Sequence, residues 1–146
     1  MSISAPDVRT ANKAVVARLF EEVSNRRDAG AVPRFWHADV VNHNGMPGQR
    51  PGAPGVADGL AGLFAAFPDY HEEVVRLVAE DDLVAAHVVL TGTHRGPFLG
   101  LPPTGRTVRC EVMETFRLRD GLVTEMWVVA DQLGLLRQLG LLPAGL

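Results

Sequence analysis

The chain has 146 residues, 47% of them hydrophobic, with 14 Lys plus Arg against 17 Asp plus Glu and a formal net charge of −3. That length suits a single domain, 1–146, able to bury well over half of its unfolded surface, and the weakly acidic balance lacks the basic excess of a nucleic-acid binder. A lone Cys110 excludes an internal disulfide, the opening MSISAPDVRT lacks a charged segment followed by an apolar stretch, and no later apolar run could span a bilayer; the expectation is a cytoplasmic protein with no membrane partner.

Helical signals come first. Val8, Val15, Val16, Leu19, Phe20 and Val23 recur at helical spacing after Pro6-Asp7, which predicts a long amphipathic helix to about Arg27. A second short helix is expected over Ala29 to His37, where Phe35 and Trp36 add aromatic surface. From Asp39 to Gly55 the run of Asn, Gly and Pro reads as a long loop, of the kind that can form a lid over a site. Gly59 to Phe67 reads as a third helix stopped at Pro68.

Past Pro68 the hydrophobic period becomes two. His71 to Ala79 and Leu83 to His94 read as strands joined by Glu80-Asp81-Asp82, and Arg106 to Arg119 and Leu122 to Ala130 as two more joined by Asp120-Gly121. Asp-Gly between alternating runs is a hairpin signal. With a two-residue loop, facing positions have numbers summing to 241, so Trp127 faces Glu114, Val129 faces Val112 and Asp131 faces Cys110. One sheet face would then carry Cys110, Val112, Glu114, Phe116, Trp127, Val129 and Asp131, two acids in an apolar and aromatic strip.

A carboxyl on such a face meets water, supplies hydrogen bonds or lines a cavity, because burial without partners costs several kcal/mol and raises its pKa. Each acid also has a plain structural reading. Asp131 stands just before the helical run QLGLLRQLG, a preferred N-cap position, and Glu114 could face solvent or pair with Arg117 or Arg119. The alternating strand around Cys110 suits a small core residue. No His pair has the spacing of zinc ligands on one face, so no metal is expected, and GLPPTGR lacks the phosphate-loop pattern.

The stretch GTHRGPFLGLPPTGRTVR, from Gly92, and the ending FRLRDGLVTEMWVVADQLGLLRQLG resemble the SnoaL-like polyketide cyclase family of the nuclear transport factor 2-like superfamily. An N-terminal helix with Asn12-Lys13 and Phe20, a VNHN stretch at Val41 to Asn44 and AFPDY at Ala66 to Tyr70 agree in order, so the resemblance covers nearly the whole chain. It implies an α+β fold: a cone-shaped α+β barrel, with a curved, mostly antiparallel sheet wrapped around N-terminal helices to enclose a hydrophobic pocket, commonly in a homodimer. It also implies ring closure by intramolecular aldol reaction on a polyketide ester, with an acidic residue and no metal or organic cofactor. The family's acid/base aspartate matches Asp131, in the W…D arrangement with Trp127. His43 aligns with the histidine after the VN pair and His94 with that of GTH, and either could donate to a developing enolate or carry a proton.

The remaining candidates are for substrate contact. Phe20, Phe35, Trp36, Met46, Phe67, Phe98, Val112 and Met113 are possible walls or plain core, His71 a rim residue, and Arg106 a guide for an ester carbonyl or a solvated charge. His37 and His87 read as structural. Related cone-shaped proteins include hydroxylation components, epoxide hydrolases, isomerases and pericyclic cyclases, and a non-catalytic carrier of apolar ligands is a further alternative.

Overall fold

A computed structural model describes residues 7–143 and 145; the reading of the chain's first residues as lacking a leader falls largely outside them. Helix α1, Val8–Leu19, starts at Asp7, whose carboxylate accepts the Arg9 N–H. The helix continues as a π turn over Phe20–Ser24, closed by Asn25 N–H donating to the Phe20 carbonyl at 2.8 Å. This widened turn directs Phe20 and Val23 into the core and brings Ser24 and Asn25 to the sheet. Insertions of this kind concentrate at functional sites.

A 3-10 turn, Ala29–Arg34, replaces the expected second helix, and from Trp36 the chain is strand β1, Trp36–Asn42. The strand was hidden because its burial pattern is mostly exposed and it carries Asp39, whereas β-propensity favours branched and aromatic residues on a half-buried surface. Helix α2, Gly52–Ala66, starts seven residues before the expected Gly59. Its Gly- and Pro-rich opening reads as a loop, yet Pro54 lies in the first turn, where no backbone donor is needed. The irregular connection therefore shrinks to 43–51. Gln49 ties it down, its side-chain oxygen accepting the Met46 N–H at 2.8 Å and its amide donating to the Gly55 carbonyl.

The four later strands follow the period-two reading closely: β2 His71–Glu80, β3 Leu83–Thr93, β4 Thr107–Arg119 and β5 Leu122–Ala130, followed by α3, Gln132–Gln138. They form one curved five-stranded sheet in the order β1-β5-β4-β3-β2, antiparallel throughout except for the β1–β5 pair. The α+β expectation holds. At Asp120-Gly121 both residues have positive φ, 52° and 78°, the type I′ geometry that matches strand twist and that glycine adopts without strain. The core lies between the inner sheet face and the helices, centred on Val16, Phe20, Val84, Val88, Phe116 and Val123. No described helix is long and apolar enough to cross a membrane.

Pairing beyond the hairpin corrects the expected faces. Leu118 still pairs with Val123, but Arg117 pairs with Glu125, so Thr124 is a one-residue bulge. From there Phe116 faces Met126, Thr115 faces Trp127, Glu114 faces Val128 and Val112 faces Ala130. A one-residue slip exchanges the two faces of a strand. Cys110, Val112, Glu114 and Phe116 stay on the inner face as expected, whereas Trp127 and Val129 turn to the outer one.

Candidate active site

The inner face carries an acidic cluster in an otherwise apolar interior. Tyr70 OH donates to Glu72 Oε1 at 2.6 Å, with both side chains buried. Asn25 clamps the start of β2: its side-chain oxygen accepts the Glu72 N–H at 2.8 Å and its amide donates to the Glu72 carbonyl at 2.9 Å. Ser24 supplies a further hydrogen bond to the Glu72 carboxyl. Burial still outweighs these donors and holds Glu72 above the ordinary glutamate value, and burial followed by the Glu72 charge pushes the Tyr70 phenol well up.

Glu114 lies in the same interior without such support. It sits mid-strand on β4, between Ala86 of β3 and Val128 of β5, and no hydrogen bond or ion pair reaches it from the described residues. Burial, and then the like charge of Glu72, push its carboxyl well above 4.5. Deep as it is among the packed elements, it keeps part of its surface accessible, as do Leu60, Phe64, Val128, Ala130 and Leu135 around the same face.

Asp131 stands where β5 becomes α3. Its carboxylate is exposed and Oδ1 accepts the Gly134 N–H at 2.9 Å, so the N-cap reading holds. Its backbone is tied to β4: its N–H donates to the Glu111 carbonyl at 3.1 Å, and its carbonyl accepts from Cys110 Sγ at 3.6 Å. Leu135 and Leu139 of α3 pack against the core, which lays the short helix across the end of the sheet. Asp131 therefore stands at the end of β5 in register with Glu111, and the bulge removes it from the expected pairing opposite Cys110.

The histidines separate. His43 lies on the outer side, its ring stacked on Trp127 at 4.6 Å and 7°, with Nε2 2.7 Å from Glu125 Oε2. That hydrogen bond, helped by the Arg117 guanidinium, holds Glu125 below its ordinary value. His94 is fully buried between Phe67 and Phe98. Its Nδ1 accepts the Thr104 N–H at 3.1 Å, which puts the ring proton on Nε2, an atom with no hydrogen-bond partner among the described residues. Thr104 in turn closes the GPFLGLPPTGR loop back onto the strand end, with Gly105 N–H donating to the His94 carbonyl.

Other expected contacts divide between core and surface. Phe20, Phe35, Phe67 and Val112 are buried, and Phe35 is flanked by the Arg18 and Arg34 guanidiniums. Trp36 is buried beside a small apolar groove formed with Pro33, Ala53, Ala57 and Leu122. Met46 is exposed on the 43–51 segment, which borders a shallow groove of about 750 Å³ against β1. His71 is exposed, and Met113 lies on the outer face. Arg106 is exposed and reaches the Gln138 carbonyl at the C-terminus of α3, where a cation is favoured. No three His, Cys, Asp or Glu side chains converge as metal ligands among the described residues.

Tyr70, Glu72, Ser24 and Asn25 were not singled out from sequence. For Glu72 a signal existed, since it shares the period-two phase of Val74 in HEEVV, and both point inward.

Comparison with known proteins agrees over most of the chain. A family model described as SnoaL-like polyketide cyclase matches residues 14–139. Nogalonic acid methyl ester cyclase of Streptomyces nogalater is 32% identical over 75% of this chain and 83% of that protein. Aklanonic acid methyl ester cyclase DnrD of Streptomyces peucetius is 30% identical over 86% and 88%. Among solved structures, AclR of Streptomyces galilaeus, a candidate hydroxylase, superposes with a TM-score of 0.80 at 33% identity, over 92% of this chain and 99% of that one.

Proposed function

The chain belongs to the SnoaL-like polyketide cyclase family, and from that premise we propose that it closes a ring on a polyketide ester by an intramolecular aldol reaction, with Asp131 as general acid and base. The observation that supports the reading is an exposed carboxylate fixed where β5 meets α3, whose Leu135 and Leu139 pack on the apolar core, with one oxygen held by Gly134 N–H and the other without a hydrogen bond among the described residues.

In this reading the Asp131 carboxylate removes a proton from a carbon flanked by carbonyls. The enolate carbon attacks a second carbonyl carbon of the same molecule, a C–C bond forms, and the alkoxide takes the proton back from Asp131. The substrate supplies its own acidity, so no cofactor takes part. The protein contributes orientation, which in intramolecular reactions is worth roughly 7 to 11 kcal/mol of barrier. The buried His94–Thr104 contact supports a positioning part for the histidine, holding the Phe98 loop beside the interior. A homodimer is proposed through the outer sheet face, where Val41, Met113 and Val129 are exposed beside the His43–Trp127 stack.

The test is to incubate the protein with aklanonic acid methyl ester and nogalonic acid methyl ester and follow product by mass and chromatography. Ring closure gives a product of unchanged mass, and Asp131→Asn should slow it by about 10²- to 10⁴-fold. The likeness to AclR favours hydroxylation as a second reading. A product heavier by one oxygen atom would select that reading and exclude the first.

A further inference from the structure

The ring-closure mechanism proposed above uses one carboxyl, yet the interior holds two more, and their environments differ. Glu72 is provided for: Tyr70 OH, Ser24 and the Asn25 clamp engage its carboxyl and its backbone. That arrangement suits whatever negative charge the interior retains. Among the described residues Glu114 has no hydrogen-bond donor and no cation, it lies on the inner and not the outer sheet face, and the charge acting on it, from Glu72, has its own sign. Its inner-face neighbours across the strands are Ala86 and Val128, and Leu77 lies beyond Ala86. A leucine at this position would complete an apolar row, whereas a buried polar group without a partner costs about 1 to 3 kcal/mol. The fold gains nothing visible from a carboxyl here, and the residue keeps part of its surface accessible.

We infer that Glu114 is a second catalytic residue, donating its O–H to a carbonyl oxygen of the bound polyketide on which negative charge develops as the enolate forms. This rests on the ring-closure reading and adds a group to it. No bond at Glu114 breaks: the carbon-bound proton goes to Asp131, the electron pair shifts to the carbonyl oxygen, and the Glu114 O–H holds that oxygen by a hydrogen bond that strengthens in the transition state. The placement is compatible with a multi-ring substrate. Glu114 faces Val128, three residues before Asp131, so the backbones of the two acidic residues are offset by roughly 10 Å along the strand direction at about 3.3 Å per residue.

The full chain is compared with Glu114→Gln, which keeps a hydrogen-bond donor, and Glu114→Leu, which removes it at similar size. Three readouts apply: binding of 1,8-dihydroxyanthraquinone as a flat carbonyl-bearing probe, turnover of the two methyl esters, and the infrared band of a protonated carboxyl at pH 7. The Leu variant should fold, bind the quinone roughly ten-fold more weakly and lose about 10²- to 10³-fold in kcat, as removal of an oxyanion donor does. The Gln variant should stay within about three-fold in binding and ten-fold in kcat. The protonated-carboxyl band should be present in the unaltered protein and absent from both variants. Undiminished binding and turnover in Glu114→Leu, or no such band in the unaltered protein, overturns the inference; if Asp131→Asn still abolishes turnover, the ring-closure reading survives it. If the unaltered protein converts neither ester, ring closure fails and this inference fails with it.

Discussion

Replacing Asp131 by alanine removes an N-cap and a proposed acid/base together, and asparagine separates them. The cap is a single hydrogen bond from Gly134 N–H to Asp131 Oδ1 at 2.9 Å, at the head of a helix of seven residues. A helix that short has little stability of its own and depends on its cap and on the packing of Leu135 and Leu139. Loss of an Asp cap costs about 1 kcal/mol. For a chain of 146 residues, the unfolding entropy near the midpoint is about 0.3 kcal/mol per kelvin, so Asp131→Ala should lower Tm by about 3 °C. Asparagine caps about as well as aspartate, so Asp131→Asn should hold Tm within about 1 °C while losing turnover. Thermal unfolding followed by circular dichroism, paired with ester conversion at fixed protein concentration, reads both quantities. An Asn variant with full turnover would refute the acid/base role, and an Ala variant with unchanged Tm would refute the account of the cap.

Glu114→Gln should also change how stability depends on pH. In the folded protein Glu114 is held above the ordinary value of 4.5, so the folded state keeps its proton where the unfolded chain has lost it. Its contribution is complete below the unfolded value and declines as pH rises toward the folded one, by at most about 1.4 kcal/mol per pH unit. The Gln variant should therefore gain Tm relative to the unaltered protein as pH rises above the ordinary glutamate value of 4.5, and parallel curves would contradict this. Asp69 works in the opposite direction: hydrogen bonds from the Thr93 N–H and hydroxyl hold it below its ordinary value, so Asp69→Asn should lose its stability penalty on acidification. Gly96→Ala should cost at least about 2 kcal/mol, because the new Cβ would lie within 2.2 Å of the Ala65 carbonyl oxygen while the Arg95 and Gly96 N–H groups both bond Ala66; a Tm within 2 °C of the unaltered protein would refute it. The buried Cys110 thiol, pushed up by its burial, should react with an aromatic disulfide reagent only after denaturant is added; prompt reaction in buffer would contradict its burial.

Much of the architecture follows from local patterning. The period of two located β2 to β5, and Asp120-Gly121 marked their hairpin, because alternation and positive-φ turn chemistry are properties of neighbouring residues. Edge strand β1 and the early start of α2 escaped for the converse reason. Exposed polar residues and a Gly/Pro-rich helix start carry loop composition, and only pairing with β5 and packing on β1 make them regular.

The candidate site was legible residue by residue and mistaken in arrangement. The alternation reads Asp131, Glu114 and Trp127 as one inner strip, and the bulge at Thr124 divides them: Glu114 stays inside, Trp127 turns out to stack on His43, and Asp131 is exposed at the strand end in register with Glu111. No alternating pattern reports a bulge, because one extra residue leaves each half of the strand equally periodic and changes only their relative phase. The sequence by itself determined the four antiparallel strands β2 to β5, that Asp131 caps a helix and that Glu114 shares a face with Cys110, Val112 and Phe116. Only the tertiary structure decided which carboxyls share an interior, since Glu72 and Glu114 are brought within electrostatic reach by a sheet that folds β2 and β4 around the same core.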